Sequence, residues 1–144
     1  MKLHRIPITG WRRCVHAAAA FESPGEFRAA CLLDVSDTVD WWLRNDPADF
    51  KIPTPAGAFE PDFLYSFSRD GQHRMGILEV KGNIFWNGEG SIARIKSSSA
   101  CAWVRAVEKS AHQQKWSYAL VLDQDAREAT TLEGMLAVAR QKEL

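Results

Sequence analysis

No stretch of this 144-residue chain approaches the ~20 consecutive apolar residues of a membrane-spanning helix, and Ala17 to Phe21 is far too short. The start, Met1-Lys2-Leu3-His4-Arg5-Ile6-Pro7, lacks the apolar core of a secretory leader, so a cytoplasmic protein without membrane contact is expected. Cysteine is scarce and scattered. Cys14, Cys31 and Cys101 form no CxxC and no even framework, which argues against a disulfide scaffold and for reduced thiols. His4, His16, His73 and His112 have no metal-ligand spacing, and Cys14-x-His16 is too little for zinc. There is no GxGxxG and no GxxxxGKS/T, hence no visible nucleotide loop. No serine sits in a nucleophile elbow and no cysteine has an obvious histidine partner. Repeats and low-complexity tracts are missing, and a single domain over residues 1–144 is expected. A surplus of charge is missing too: 18 basic residues balance 18 acidic ones. A free-standing nonspecific nucleic-acid binder carries a basic surplus, so the balance argues against one.

What is present is an ordinary globular composition, 46% hydrophobic and 25% charged, with six tryptophans and seven phenylalanines, more than packing alone usually requires. A strand is expected near Trp11 to His16. Ser23-Pro24-Gly25-Glu26 reads as a capping box with proline at N1, opening a helix that carries Phe27, Ala30, Cys31 and Leu33. A loop over Asp34 to Asp37, a strand over Thr38 to Leu43, a turn over Arg44 to Ala48 and a short strand over Phe50 to Ile52 follow. After Gly82, Asn83 to Gly90 reads as a loop. Ser91 to Lys109 is the strongest helix, with Ile92, Ile95, Ser99, Ala102, Trp103 and Ala106 at helical spacing. Tyr118 to Leu122 reads as a buried strand and Thr131 to Arg140 as a final amphipathic helix. The order is that of an α/β domain.

The most specific local signal is a hairpin. Phe63-Leu64-Tyr65-Ser66-Phe67-Ser68 and Met75-Gly76-Ile77-Leu78 flank Arg69-Asp70-Gly71-Gln72, and Asp-Gly suits a type I′ turn. With Asp70-Gly71 as the turn, Arg69 faces Gln72. Stepping outward, Asp62 faces Glu79 and Glu60 faces Lys81. A three-residue loop would flip this register. Directly opposed like charges destabilise a strand pair, so Asp62 and Glu79 call for a cation or a shared proton between them. Oxygen ligands of this kind suit Mg²⁺.

These residues, Pro61-Asp62 followed by Glu79-Val80-Lys81-Gly82, resemble the signature of the PD-(D/E)xK nucleases. The wider run adds Phe21-Glu22-Ser23-Pro24-Gly25-Glu26, Val39-Asp40-Trp41-Trp42-Leu43-Arg44, Trp103-Val104-Arg105-Ala106-Val107 and Trp116-Ser117-Tyr118. Together they look like the C-terminal endonuclease domain of Type III restriction-enzyme Res subunits, over roughly residues 10 to 125. The resemblance implies a restriction-endonuclease-like fold, a central mixed β-sheet flanked by helices. It implies an endonuclease that hydrolyses DNA phosphodiester bonds to 5′-phosphate and 3′-hydroxyl ends, with Mg²⁺ as cofactor and Mn²⁺ as a substitute. Gln113 and Gln114 do not form the QxxxY motif of the RecB-like branch. The neutral charge suits a cleavage module delivered to DNA by a helicase, translocase or DNA-recognition subunit or domain.

On this reading Asp62 and Glu79 are metal ligands, with the Val80 carbonyl oxygen as a further ligand implied by the resemblance. Asp62 is otherwise an exposed strand-start aspartate, and Glu79 a solvent-facing strand position. Lys81 shares a strand face with Glu79 and would stabilise the attacking hydroxide and the charge developing at phosphorus. Its plainer role is a surface salt bridge to Glu60. Glu26 is either an acidic residue near the metal, as in many family members, or simply the N3 partner of Ser23; Glu22 is a weaker candidate. Arg94, Ser98, Arg105 and Lys109 can share one face of the long helix as a phosphate-facing strip or a solvated surface. Lys96 lies off that strip and matches a basic position that often follows the core motif. Two other readings stand beside the nuclease. One is a catalytically silent nucleic-acid-binding or assembly domain on the same fold; the other is an α/β interaction domain in which the motif is coincidental.

Overall fold

A computed structural model describes residues 6–45, 50–83, 86, 92–109 and 115–143. Strands β1 (Ile8–Thr9) and β2 (Ala18–Ala19) form a small antiparallel ribbon, and the centre of the molecule is a five-stranded mixed sheet. Strands β3 (Val39–Arg44), β6 (Phe63–Arg69) and β7 (Gln72–Lys81) are antiparallel neighbours. Strand β8 (Lys115–Leu122) lies parallel to β7, reached through helix α2 (Ile92–Lys109), and β9 (Gln141–Glu143) closes the far edge antiparallel. The spatial order is β3-β6-β7-β8-β9. Helix α1 (Pro24–Val35) and the short helices α3 (Asp123–Glu128) and α4 (Leu132–Ala137) cover one face. Helix α2 and a small hairpin of β4 (Ile52–Thr54) and β5 (Gly57–Phe59) cover the other.

Alternation along the strands divides the core between the two faces. On the α1 side, Phe63, Tyr65, Leu78, Val80, Ala119 and Val121 pack on Ala29, Ala30, Leu33, Ala126 and Met135. On the α2 side, Leu64, Ile77, Tyr118, Leu120 and Leu122 pack on Ala100, Cys101 and Val104. Glu79 and Lys81 continue the row of Ile77, so the second face carries the charged pair at its open end. No helix among the described residues is long and apolar enough to cross a membrane.

The hairpin turn takes the conformation its residues suggest. Asp70 and Gly71 have φ of 52° and 77°, and Arg69 pairs with Gln72. Further along, Tyr65 faces Gly76, and a Cβ on Gly76 would lie 2.2 Å from the Tyr65 ring. The ring therefore occupies the space that any larger residue needs. Gly76→Val is expected to destabilise the fold by about 1–3 kcal/mol through overpacking, read as a lower Tm in thermal denaturation; an unchanged Tm would contradict this packing.

Several expected elements differ. Residues 11 to 16 form no strand but touch β3 at one bridge, Cys14 with Trp42. The reason is Asp34, whose carboxylate accepts from the backbone N–H groups of Arg12 and Arg13 and from the Trp42 indole, holding this segment in turns. Burial alone would raise the Asp34 carboxyl, but these donors outweigh it and hold it below its usual range. The short strand expected over Phe50 to Ile52 is displaced to Ile52–Thr54, which runs through Pro53 and turns back at Pro55-Ala56. The final helix is shorter than its periodicity suggests. Thr131 caps it by accepting from the Gly134 N–H, it ends at Ala137, and Gln141–Glu143 instead adds an edge strand. Helix α3 was not expected at all. The loop over Asn83 to Gly90, the turn beyond Asn45, His4, His112, Gln113 and Gln114 lie wholly or mostly outside the described residues.

Candidate active site

The charged cluster gathers where three strand ends meet: the end of β3, the entry to β6 and the end of β7. Asp62 precedes β6, and the hairpin register carries it to Glu79 through two reciprocal contacts. The Asp62 N–H donates to Glu79 Oε2 (3.2 Å), and the Val80 N–H donates to Asp62 Oδ2 (2.8 Å). The Glu79 carboxylate is thereby bound to the Asp62 backbone, and the Asp62 carboxylate to the backbone of Val80. Val80 joins the cluster through that N–H. Glu79 is 1% exposed, and burial followed by the nearby Asp62 charge raises its pKa well above the ordinary range.

Lys81 places Nζ 3.2 Å from Glu79 Oε1 and is half-buried. Burial alone would lower its pKa, but the Glu79 and Asp62 charges outweigh that and raise it, so the ammonium stays charged at neutral pH. The expected pairing with Glu60 does not form. The chain leaves the hairpin register at Pro61, and exposed Glu60 meets Lys51 at 3.6 Å instead.

Glu26 belongs to the cluster. The Ser23 hydroxyl accepts from the Glu26 N–H (3.1 Å), so half of the capping box forms. The Glu26 carboxylate, however, turns toward Arg44, whose Nη2 lies 2.8 Å from its Oε1. Burial, and after it the Asp62 charge, raises Glu26 to about 7 against the opposing pull of Arg44. Gly25 lets the start of α1 sit close against Asp123 of α3. Its N–H donates to Asp123 Oδ1 (2.8 Å), and a Cβ there would lie 2.1 Å from that oxygen.

Arg44 is the residue that sequence reasoning missed. It is 8% exposed, its Nη1 donates to the Asp62 carbonyl (3.0 Å), and its Nη2 lies 3.5 Å from Asp62 Oδ1. Its guanidinium carbon sits 5.7 Å from the centre of the Phe63 ring. The available signal was period-two alternation, which puts Arg44 on the inward face shared with buried Trp42.

The helix residues divide. Arg94 donates from Nε to the Trp86 carbonyl (2.7 Å) and stacks its guanidinium 4.6 Å from the centre of the Trp86 ring, next to the chain leaving Lys81. Trp86 itself donates its backbone N–H to the Gly82 carbonyl. Lys96 is half-buried near the same end of α2. Arg105 lies toward the other end and pairs with Glu143 of β9 at 2.9 Å, so the structure does not bring it to the cluster. A recess of about 340 Å³ lined by Tyr65, Phe67, Ser117, Leu132 and Leu136 opens on the opposite face and holds none of these carboxylates.

Among the described residues, no three His, Cys, Asp or Glu side chains converge in a metal-holding arrangement. The side chains at hand for a cation are the opposed pair, Asp62 and Glu79. In comparisons with known proteins, no family model, curated protein or solved structure matches this chain.

Proposed function

We propose that this chain is a metal-dependent endonuclease domain of restriction-endonuclease-like fold, hydrolysing DNA phosphodiester bonds within a restriction or helicase-linked system. One observation carries the reading: Asp62 and Glu79 are held against each other where β6 begins and β7 ends, with a charged lysine beside them. Nothing in packing requires this arrangement. A buried carboxylate next to another carboxylate is costly, and that cost is understandable where a cation is to be bound.

The donor set suits a hard divalent ion, Mg²⁺ or Mn²⁺, held by the Asp62 and Glu79 oxygens. When bound, such an ion neutralises phosphate charge and acidifies a coordinated water. The chain supplies the rest. Val80 and Asp62 fix the two carboxylates through their N–H groups. Lys81, held by Glu79 and partly open to solvent, would offer its positive charge to the attacking oxygen and the phosphoryl group. Arg94 and Lys96 flank the same end for backbone phosphates. The balanced charge of the chain favours delivery by a helicase, translocase or DNA-recognition partner over tight binding alone.

A second reading has its own support. Arg44 already bridges Glu26 and Asp62 by ion pairs, as it would in a catalytically silent nucleic-acid-binding or assembly domain on the same fold. Nicking of supercoiled plasmid separates the two. The nuclease reading expects Mg²⁺- or Mn²⁺-dependent nicking, blocked by EDTA and lost in Asp62→Ala. Nicking that survives Asp62→Ala contradicts the site. If neither nicking nor a Mn²⁺-dependent rise in Tm occurs, the silent domain is the better account.

A further inference from the structure

Two carboxylate pairs converge on this cluster, and they are not equivalent. Among the described residues, the groups that meet Asp62 and Glu79 between them are backbone N–H donors and the half-buried Lys81. Between Asp62 and Glu26 lies the Arg44 guanidinium, 2.8 Å from one carboxylate and 3.5 Å from the other. That side chain is fixed there: it donates to the Asp62 carbonyl and lies against the Phe63 ring. Its short approach to Glu26 runs off the N–H direction. Neither Glu26 Oε1 nor Arg44 Nε has a hydrogen-bond partner among the described residues, although both are buried. The contact is therefore one of charge rather than of hydrogen-bond geometry.

We infer that Arg44 is a built-in cation occupying the place of a second metal ion, so that the site takes one divalent cation per chain, between Asp62 and Glu79. The inference rests on the metal-dependent reading above and extends it to stoichiometry. Charge supports it. With all three carboxylates ionised, Glu26, Asp62 and Glu79 exceed Arg44 and Lys81 by one negative charge. One divalent ion turns this into one positive charge, which a bound phosphodiester cancels. A second divalent ion would leave two uncompensated positive charges after substrate binding, in a region where Glu26 and Glu79 are almost wholly buried. Arg44 thus acts as a positioning residue. It holds Asp62 by carbonyl and carboxylate and leaves the Glu79 side of that carboxylate for the ion.

Equilibrium Mn²⁺ binding, followed by electron paramagnetic resonance of the free ion and by calorimetry, tests this without any turnover. Wild type is expected to bind one Mn²⁺ per chain. Arg44→Lys, which keeps the charge, is expected to bind one, and Arg44→Gln, which removes it and frees Glu26, is expected to bind two. Two ions in wild type would overturn the inference while leaving the nuclease reading in place. A single ion in folded Arg44→Gln would overturn the role of Arg44. If Arg44→Gln does not fold, the wild-type and Arg44→Lys stoichiometries still decide. No Mn²⁺ binding by wild type would overturn both the inference and the reading beneath it.

Discussion

Lys81→Met is expected to lower metal-dependent DNA cleavage about 100- to 1,000-fold while leaving Mn²⁺-dependent thermal stabilisation in place. The two readouts separate because, on the proposed nuclease reading, Lys81 would act on the reacting phosphate, whereas Asp62 and Glu79 would hold the ion. The lysine cannot be the general base at neutral pH: the charges of Glu79 and Asp62 raise its pKa above that of a free lysine. On the proposed reading its contribution would be a fixed positive charge beside the reacting phosphate. For that reason the rate should show no titration belonging to a lysine around neutral pH. Lys81→Arg should recover little, since a planar guanidinium cannot place its charge where a compact ammonium sits 3.2 Å from Glu79. Single-turnover cleavage of a plasmid, with Tm measured alongside, checks this. Cleavage at wild-type rate by Lys81→Met would remove the lysine from the mechanism; loss of the Mn²⁺ shift would make its role one of holding the ion.

How much of this site was legible depends on how local each determinant is. The Asp62–Glu79 opposition was readable because turn chemistry is local: Asp70-Gly71 admits positive φ, the turn sets the register, and period-two counting does the rest. The register stops where Pro61 takes the chain out of the sheet, which is why Glu60 was misplaced. The Glu26–Arg44 pair joins a helix start to a strand end 18 residues later, and no spacing rule connects the two. The same limit explains Arg105. Helical spacing put it on one face with Arg94, but its partner Glu143 lies on a three-residue edge strand too short and polar to read from the sequence. The sheet order shows the same boundary. Strand existence follows from apolar alternation, while the parallel placement of β8 beside β7 follows from the crossover through α2. In general, what one turn or one strand period determines was visible. What required two distant elements to meet was not.

Glu79→Gln is expected to make the metal-free protein more stable at pH 8 and unable to gain from metal. Glu79 and Glu26 both bind a proton more tightly when folded than when unfolded, Glu26 with its pKa moved from 4.5 to about 7. Between those values the folded state keeps a proton that the unfolded chain has lost, so stability falls as pH rises through the window. Above it, the folded state bears the full cost of buried, mutually repelling carboxylates. Replacing Glu79 by the near-isosteric glutamine removes one of these charges. The expected gain is about 1–2 kcal/mol, or roughly 3–6 °C in Tm, at pH 8, closing toward zero near pH 5, where the wild-type carboxyl is itself protonated. Mn²⁺ should raise the Tm of wild type by more as pH rises, because binding must displace these protons, and should leave Glu79→Gln unmoved. Thermal denaturation from pH 5 to 8, with and without Mn²⁺, tests both halves. A wild type whose metal-free stability is flat across this range, or a variant less stable than wild type at pH 8, would show that Glu79 is not strained by its neighbours. The carboxylate pair would then carry no energetic cost that a bound cation relieves.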